Sequence, residues 1–554
     1  PPRASHLAIL APNVGGSGSP ALRRQLTFTP DGESLLFVVV TSTGSNLFAR
    51  QRLDATESSP IAGSEGLAAP AVSPDARWVY GVGNDGAFRV PIEGGTRSAL
   101  PEEFTHSGFS PDGTFWFTAS GRSPQLKRIR PGVDSVEVVV GTTRYEVGQL
   151  LDDRTAIVLQ RVFGTATASA FILDLERGDT TRLLDVPVVD ARWTSGHLVW
   201  VLGDGSLHAA TYDLRAGRQG PSVQIGSGVS LTGTGIAQVA VAANGTVAYI
   251  PESPRQLSFV DLNGASRPAV PEARNYHAPQ YSVDGRRISF DFTSSDGRDT
   301  WVLDLAQGSI TRATFVGDGH DAVWSPDGRH LSFTSARSGV LGVYRTRPGS
   351  AAAAESLFAS AQLTWTGEWL ADGSALVTIA TDVRPGSNSD IALLTNGGRG
   401  PLEPIVATPF IEMYATLSPD GHWLAYVSNQ SGREQVYVRA FPGTDDDEVM
   451  LVSPEGGTEP VWSPDGRQLA YRSTVEGRPE LVLVDVGVDP SFTINARRTQ
   501  FSLADYVGTA PHANYDFTPD GKGFVMVRRS PATRIMVIQN LPELVRRLQG
   551  AASR

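Results

Sequence analysis

The chain has 554 residues, 40% hydrophobic and 19% charged, a balance that excludes a disordered protein and describes a folded one too long for a single compact core. A formal net charge of −11 and an isoelectric point near 5.4 exclude nucleic acid as an expected partner, because the densest basic group, Lys127, Arg128 and Arg130, alternates as the solvated face of a strand would. The absence of cysteine excludes disulfides, thiolate metal sites and cysteine nucleophiles, and no apolar run of about 18 residues offers a membrane-spanning helix.

The chain begins Pro1-Pro2-Arg3, without methionine, so a signal peptide or a longer preceding region is expected upstream. After an apolar strand, "HLAILAP" from His6, one phrase governs the rest. Ser/Thr-Pro-Asp-Gly stands at Asp31, Asp75 (where alanine replaces the glycine), Asp112, Asp327, Asp420, Asp465 and Asp520. Weaker copies stand at Asp153, Asn244, Asp284 and Asp372, with a degenerate one near Gly196. The spacing of about 37 to 55 residues is that of a four-stranded propeller blade and not of a helical repeat.

Proline presets the first turn position, aspartate suits the second, and glycine takes the left-handed position that follows. The phrase therefore reads as a hairpin turn, with an apolar strand before it and an alternating one after it. Third strands follow in "NLFARQRLD", "DTWVLDL", "QVYVRAF" and "LVLVDV", and short fourth strands of the "SITRAT" type close each unit. Twelve phrases predict twelve blades. Rings of four to eight are usual, so the fold expected is all-β: tandem β-propellers of four-stranded antiparallel blades, six and six preferred, with a seven-plus-five division as the alternative. The first propeller is expected over residues 1–252 and the second over 253–554, crossing near "IPESPRQ". The last blade shows three clear strands, so its outer strand is expected from Gln256–Leu262 or from "HLAILAP". The tail "LPELVRRLQ" reads as a short amphipathic helix.

These phrases resemble the TolB-type, WD-like propeller repeat, whose mark is this hairpin followed by a Leu-Ala-Phe/Tyr strand. The order of "GHLVWVLGDGSLHAATYDL", "DTWVLDLAQGSITRATFVGDGHDAVWSPDGRHLSFTSARSG" and "TLSPDGHWLAYVSNQSGREQVYVRAFPG" is similar to the C-terminal propeller region of bacterial receptor-type serine/threonine kinases. The likeness runs from about Gln25 to Asn540 and specifies architecture far more than chemistry. It implies an extracytoplasmic (periplasmic or cell-surface) module. No glycine-rich loop with its lysine, His-Arg-Asp or Asp-Phe-Gly phrase is present, so phosphoryl transfer is not expected of these residues.

The search for chemistry turns up little else. "GGSGSP" at Gly15–Pro20 lacks the Gly-x-Ser-x-Gly elbow of a serine hydrolase, and "GTGIAQ" and "GSGVSL" lie among strands with no βαβ unit. The run Asp445-Asp446-Asp447-Glu448 lacks calcium-loop spacing. One pattern remains. Counting back from the turn aspartates, equivalent positions just before the innermost strands hold Tyr276, His277, His320, Asp321, Tyr414, Glu459, His512 and Asn514. Inner-strand entries converge on a propeller's channel, so these residues are expected to form a polar binding funnel at the mouth of the second ring. Ring positions on separate blades are expected to lie too far apart for one metal ion, and no catalytic residue, metal or cofactor is assigned. The expected function is non-catalytic recognition of a protein, peptide or glycan, as the sensor-like part of a receptor-kinase-type protein. The alternative is a structural or accessory scaffold subunit docked on a larger protein complex, a membrane-bound one included, with a channel-mouth hydrolase or lyase as a third reading.

Overall fold

In the computed structural model each turn phrase is held by its own side chains. At Asp327 the Ser325 hydroxyl donates to Oδ1 at 2.5 Å, Oδ1 accepts the Arg329 N–H at 2.9 Å, and Ser325 Oγ accepts the His330 N–H at 3.0 Å. Gly328 takes a φ of 64°, a left-handed value that glycine adopts without a Cβ penalty. Ala76, in the glycine position of the second phrase, is held at 55°.

The structure describes residues 4–552 except 15–23, 42–44, 84–85, 103, 120–124, 134, 141–144, 162–166, 232–235, 253, 295–296, 351, 361, 444–447, 474–478, 490, 509–510 and 530–531. "GGSGSP" and Asp445–Asp447 therefore lie outside the described residues.

The described residues are almost wholly strand and turn, and they divide into two compact units, Pro1–Ser253 with Pro531–Arg554, and Pro254–Ser530. Each unit is a closed ring of six antiparallel blades. In the first, four hairpin blades follow that begun by Leu26–Phe28 and Ser34–Val40. The sixth blade is composite: Val239–Val241 and Val247–Tyr249 come from the end of the unit's first segment, Ala532–Gln539 from the C-terminal region, and Ser5–Val14 from the N-terminus. In the second ring, five sequential blades run from Tyr276–Tyr281 to Thr493–Ser502. The sixth joins Tyr515–Phe517 and Gly523–Arg529 to Arg255–Asp261 and Ser266–Pro268. Both predicted sources of an outer strand are used, one in each ring.

The assignment of the tail to the second propeller is corrected. Ala532–Gln539 completes the first ring, and the helix Leu541–Ala552 packs on it: Leu541, Leu544 and Val545 are buried with Val199, Leu207 and Tyr249. The reason is geometric, since Val537 pairs with both Ala248 and Leu7, and a tail elsewhere would leave that blade two strands short.

Blades pack face to face through apolar layers, as where Leu36, Val38 and Phe48 of one meet Val72, Val79 and Val90 of the next. Each such side chain contributes about 1.5–3 kcal/mol through burial. The basic group at Lys127 is a paired, partly solvated face: Lys127 meets Glu102 at 2.5 Å and Arg128 meets Glu137 at 2.8 Å.

Candidate functional site

Four of the six inner strands of the second ring share a distortion six residues before the turn aspartate. The ladder shifts register between His277 and Gln280, His320 and Val323, Met413 and Thr416, and Thr458 and Val461. Within these bulges Ala278, Asp321, Tyr414 and Glu459 have φ between 49° and 58°. A bulge of this kind re-aims the side chains around it, at a cost of roughly 1–2 kcal/mol for a non-glycine residue.

Asp321 is the centre of what results. Its Oδ1 lies 2.8 Å from His512 Nε2, 3.6 Å from His277 Nδ1 and 3.3 Å from Arg298 Nη2, and its Oδ2 lies 2.9 Å from His320 Nδ1. Asp291, 1% exposed, stands 3.5 Å from His277 Nδ1 and is paired with Arg298. The rings of His277 and His512 meet edge to face, 4.9 Å between centroids. Three blades supply the group: the first gives His277, Asp291 and Arg298, the second His320 and Asp321, and the sixth His512. The Thr366 hydroxyl of the third blade holds the Asp321 carbonyl.

Protonation follows from the partners. His512 Nδ1 faces the Ala513 carbonyl at 3.0 Å while Nε2 faces Asp321, so both nitrogens meet acceptors and the arrangement favours a proton on each. Burial opposes that charge, yet the Asp321 carboxylate outweighs it and raises the His512 pKa. His277 is the reverse case. Burial, then the Arg298 guanidinium, lowers its pKa to about 4, and its Nδ1 accepts from Arg298, so a neutral imidazole turns a lone pair into the cluster. Burial disfavours the charge on Asp321 too, but His512 and His320 hold its pKa well below the usual carboxylate range.

No family model matches the chain, and no curated protein does either. Solved structures do. A TolB of Agrobacterium tumefaciens is 20% identical over 50% of this chain and 99% of its own, with a TM-score of 0.42. TolB from Acinetobacter baumannii is 16% identical over 62% and 79%, with a TM-score of 0.35. The GH74 enzyme of Niastella koreensis is 10% identical over 94% and 91%, also at 0.35. These are likenesses of fold.

The eight residues expected at the channel mouth therefore separate into two sets. His277, His320, Asp321 and His512 come together; the other four do structural work. Tyr276 is fully buried against Phe290 and Phe292, with its hydroxyl donating to the Glu272 carbonyl at 3.0 Å. Tyr414 lies in the core between the fourth and fifth blades. Glu459, 1% exposed, pairs with Arg472 at 2.9 Å and accepts the Asn514 N–H at 3.0 Å. Asn514 in turn accepts the Ala278 N–H at 2.7 Å, tying the sixth blade to the first. The expectation that ring positions lie too far apart to share an ion is also corrected, because donor atoms of His277, Asp321 and His512 all lie within 4.8 Å of one another. Sequence reasoning missed Asp291 and Arg298. The available signal was an aspartate between two phenylalanines in "ISFDF", a charge on a strand buried on both faces.

Two further carboxylates line the inner strands four residues before the turn. Glu368 accepts the Leu417 N–H at 2.9 Å and the Thr416 hydroxyl at 3.0 Å, and Asp516 accepts the Tyr281 N–H at 2.9 Å. Burial pushes Glu368 up to about 7 and Asp516 to about 6. An open depression of about 490 Å³ lined by Arg287, Asp327, Arg329 and Arg347 lies between the first and second blades at their turn ends, away from the cluster, so this depression and the chemistry do not coincide.

Proposed function

We propose that the chain is a non-catalytic recognition module that binds a protein, peptide or glycan through the channel-entry face of its second ring, as the extracytoplasmic, sensor-like part of a receptor-kinase-type protein. The observation that carries this reading is a polar centre with an apolar rim on one face. Phe315 and Val316, 55% and 60% exposed, sit on the loop that leads into His320–Trp324, and Phe410, 42% exposed, on the loop into Glu412–Leu417. The first loop is pinned: Asp299 accepts the Thr314 hydroxyl at 2.6 Å and the Gly317 N–H at 3.2 Å, and pairs with Arg312. Exposed aromatic side chains on a fixed loop are what a protein interface selects for anchors, because little ordering entropy remains to be lost.

The extracytoplasmic and kinase-linked part rests on the resemblance of the quoted phrases. Among the described residues no helix is long and apolar enough to cross a membrane, so this reading attaches the module through an upstream segment or a partner. The test is a gentle native purification from membrane and soluble fractions of the source cells, with mass spectrometry of what travels with the chain. A Phe315→Asp/Phe410→Asp variant is run beside it. A partner held by the wild type and lost from the variant, at unchanged melting temperature, is the expected outcome. Kinase peptides from the same polypeptide favour the sensor, and stoichiometric unrelated membrane proteins favour a docked scaffold. Full retention by the variant overturns the choice of face.

A further inference from the structure

The Asp321 cluster contains more ligating chemistry than a recognition surface requires. Its donors are two imidazole nitrogens and a carboxylate oxygen from three separate blades, mutually within 4.8 Å. Around a tetrahedral zinc ion with bonds of about 2.0–2.1 Å, neighbouring donors stand roughly 3.3 Å apart. The separations here bracket that value: 2.8 Å from His512 Nε2 to Asp321 Oδ1, 3.6 Å from there to His277 Nδ1, and 3.5 Å from His277 Nδ1 to Asp291 Oδ1.

A second observation is independent of those distances. Asp291 is 1% exposed, and its Oδ1 is fully buried and accepts no hydrogen bond from the described residues. A buried carboxylate oxygen left in this condition forfeits its hydration without compensation, and it faces the same space. Asp321 is also oriented from behind, since His320 Nδ1 occupies its Oδ2 at 2.9 Å and leaves Oδ1 toward the other donors. Carboxylates fixed in this way are typical of ligands whose outer partners set their direction.

We propose that the cluster is a binding site for a single first-row divalent cation, zinc by its donor set, ligated by His277 Nδ1, Asp321 Oδ1, His512 Nε2 and Asp291 Oδ1, with the His512 Nε2 proton released to solvent as the metal enters. Arg298 is the cation that holds these acceptors together when no metal is bound: its guanidinium contacts Asp291, His277 and Asp321 at once. Metal and guanidinium compete for one set of acceptors, so Arg298 tunes the affinity of the site. With two imidazoles among four donors the site disfavours calcium and magnesium, which prefer all-oxygen shells. The inference stands apart from the recognition reading, since a metal here stabilises the junction of three blades whether or not a partner binds.

The test uses the full chain after chelator treatment and dialysis, titrated calorimetrically with Zn²⁺ and followed with Co²⁺ by its visible absorption. The expected result is saturable binding of one equivalent, weakened more than about tenfold by His277→Asn/His512→Gln, and tightened about tenfold by Arg298→Gln, magnitudes typical of altered ligand shells. Each variant is checked for an intact cooperative melt. Arg298→Gln keeps the test decisive if the histidine variant fails to fold, because it is expected to gain binding. Absence of saturable Zn²⁺ binding in both the wild type and Arg298→Gln overturns the proposal, as does undiminished binding by a folded histidine variant or a preference for Ca²⁺.

Discussion

At the scale of single residues, the second ring stores its strain and charge where the inner strands begin. Glu368 shows what such placement does to stability. Its folded pKa of about 7 lies above the ordinary value of 4.5, so the native state binds the extra proton. The stability this confers is fully present below about pH 4.5 and is lost as pH rises through about 7. Nearby Asp516, itself raised to about 6, adds repulsion in the same direction. Glutamine retains an oxygen for the Leu417 N–H and the Thr416 hydroxyl and has no charge to bury. Glu368→Gln is therefore expected to raise stability at pH 8 by on the order of 2 kcal/mol, discounted for solvent in the channel, and to change it little at pH 4. Denaturant melts at the two pH values check this, and an equal effect at both would remove the carboxylate as the cause. Glu368 was not legible in the sequence, because its significance depends on the neighbouring blade's Leu417. His277, His320, Asp321 and His512 were legible, since counting from the turn aspartates locates them without knowledge of contacts. The same count also selected Tyr276 and Glu459, because spacing fixes which end of a strand a residue occupies but not whether its side chain turns to the channel or the core.

At the scale of elements, the alternating strands and the turn phrase were readable because each is determined locally. "RIMVIQN" falls within the strand Ala532–Gln539, and "LPELVRRLQ" within the helix Leu541–Ala552. What the helix packs against was not readable, since an amphipathic face states only that some apolar surface must cover it. In the structure that surface belongs to the first ring. Leu544, 2% exposed, lies among Val199, Leu207, Val239 and Tyr249. Leu544→Ala is expected to cost about 2–4 kcal/mol, confined to the first ring although the residue lies ten positions from the C-terminus. Hydrogen exchange resolved by peptide mass spectrometry reads this as lost protection in residues 189–249 with none lost in 276–346. Loss in the second ring instead would contradict the packing.

At the scale of the whole molecule, the two rings close differently, and folding in isolation is the consequence. The second ring is continuous in sequence: Arg255–Asp261 pairs with Gly523–Arg529 over seven residue pairs, so residues 254–530 contain every strand of their ring. The first ring is interrupted. Ala532–Gln539 lies between Val247–Tyr249 and Ser5–Val14, and without it Ser5–Val14 keeps one paired position, Val14 with Val39. An open sixth blade exposes the edge of Val247–Tyr249 and uncovers the buried side chains Val239, Val247 and Ala248, a combination that favours aggregation over closure. Residues 254–530 expressed alone are therefore expected to melt cooperatively, and residues 1–253 alone are not. Joining residue 253 to 531 by a short flexible linker is expected to restore a cooperative melt to the first ring, because Tyr249 and Met536 are already paired partners and the closing strand then arrives in register. Cooperative unfolding of 1–253 without the tail would show that the N-terminal strand suffices to close the ring, and the C-terminal strand would then be an addition to the blade instead of its completion.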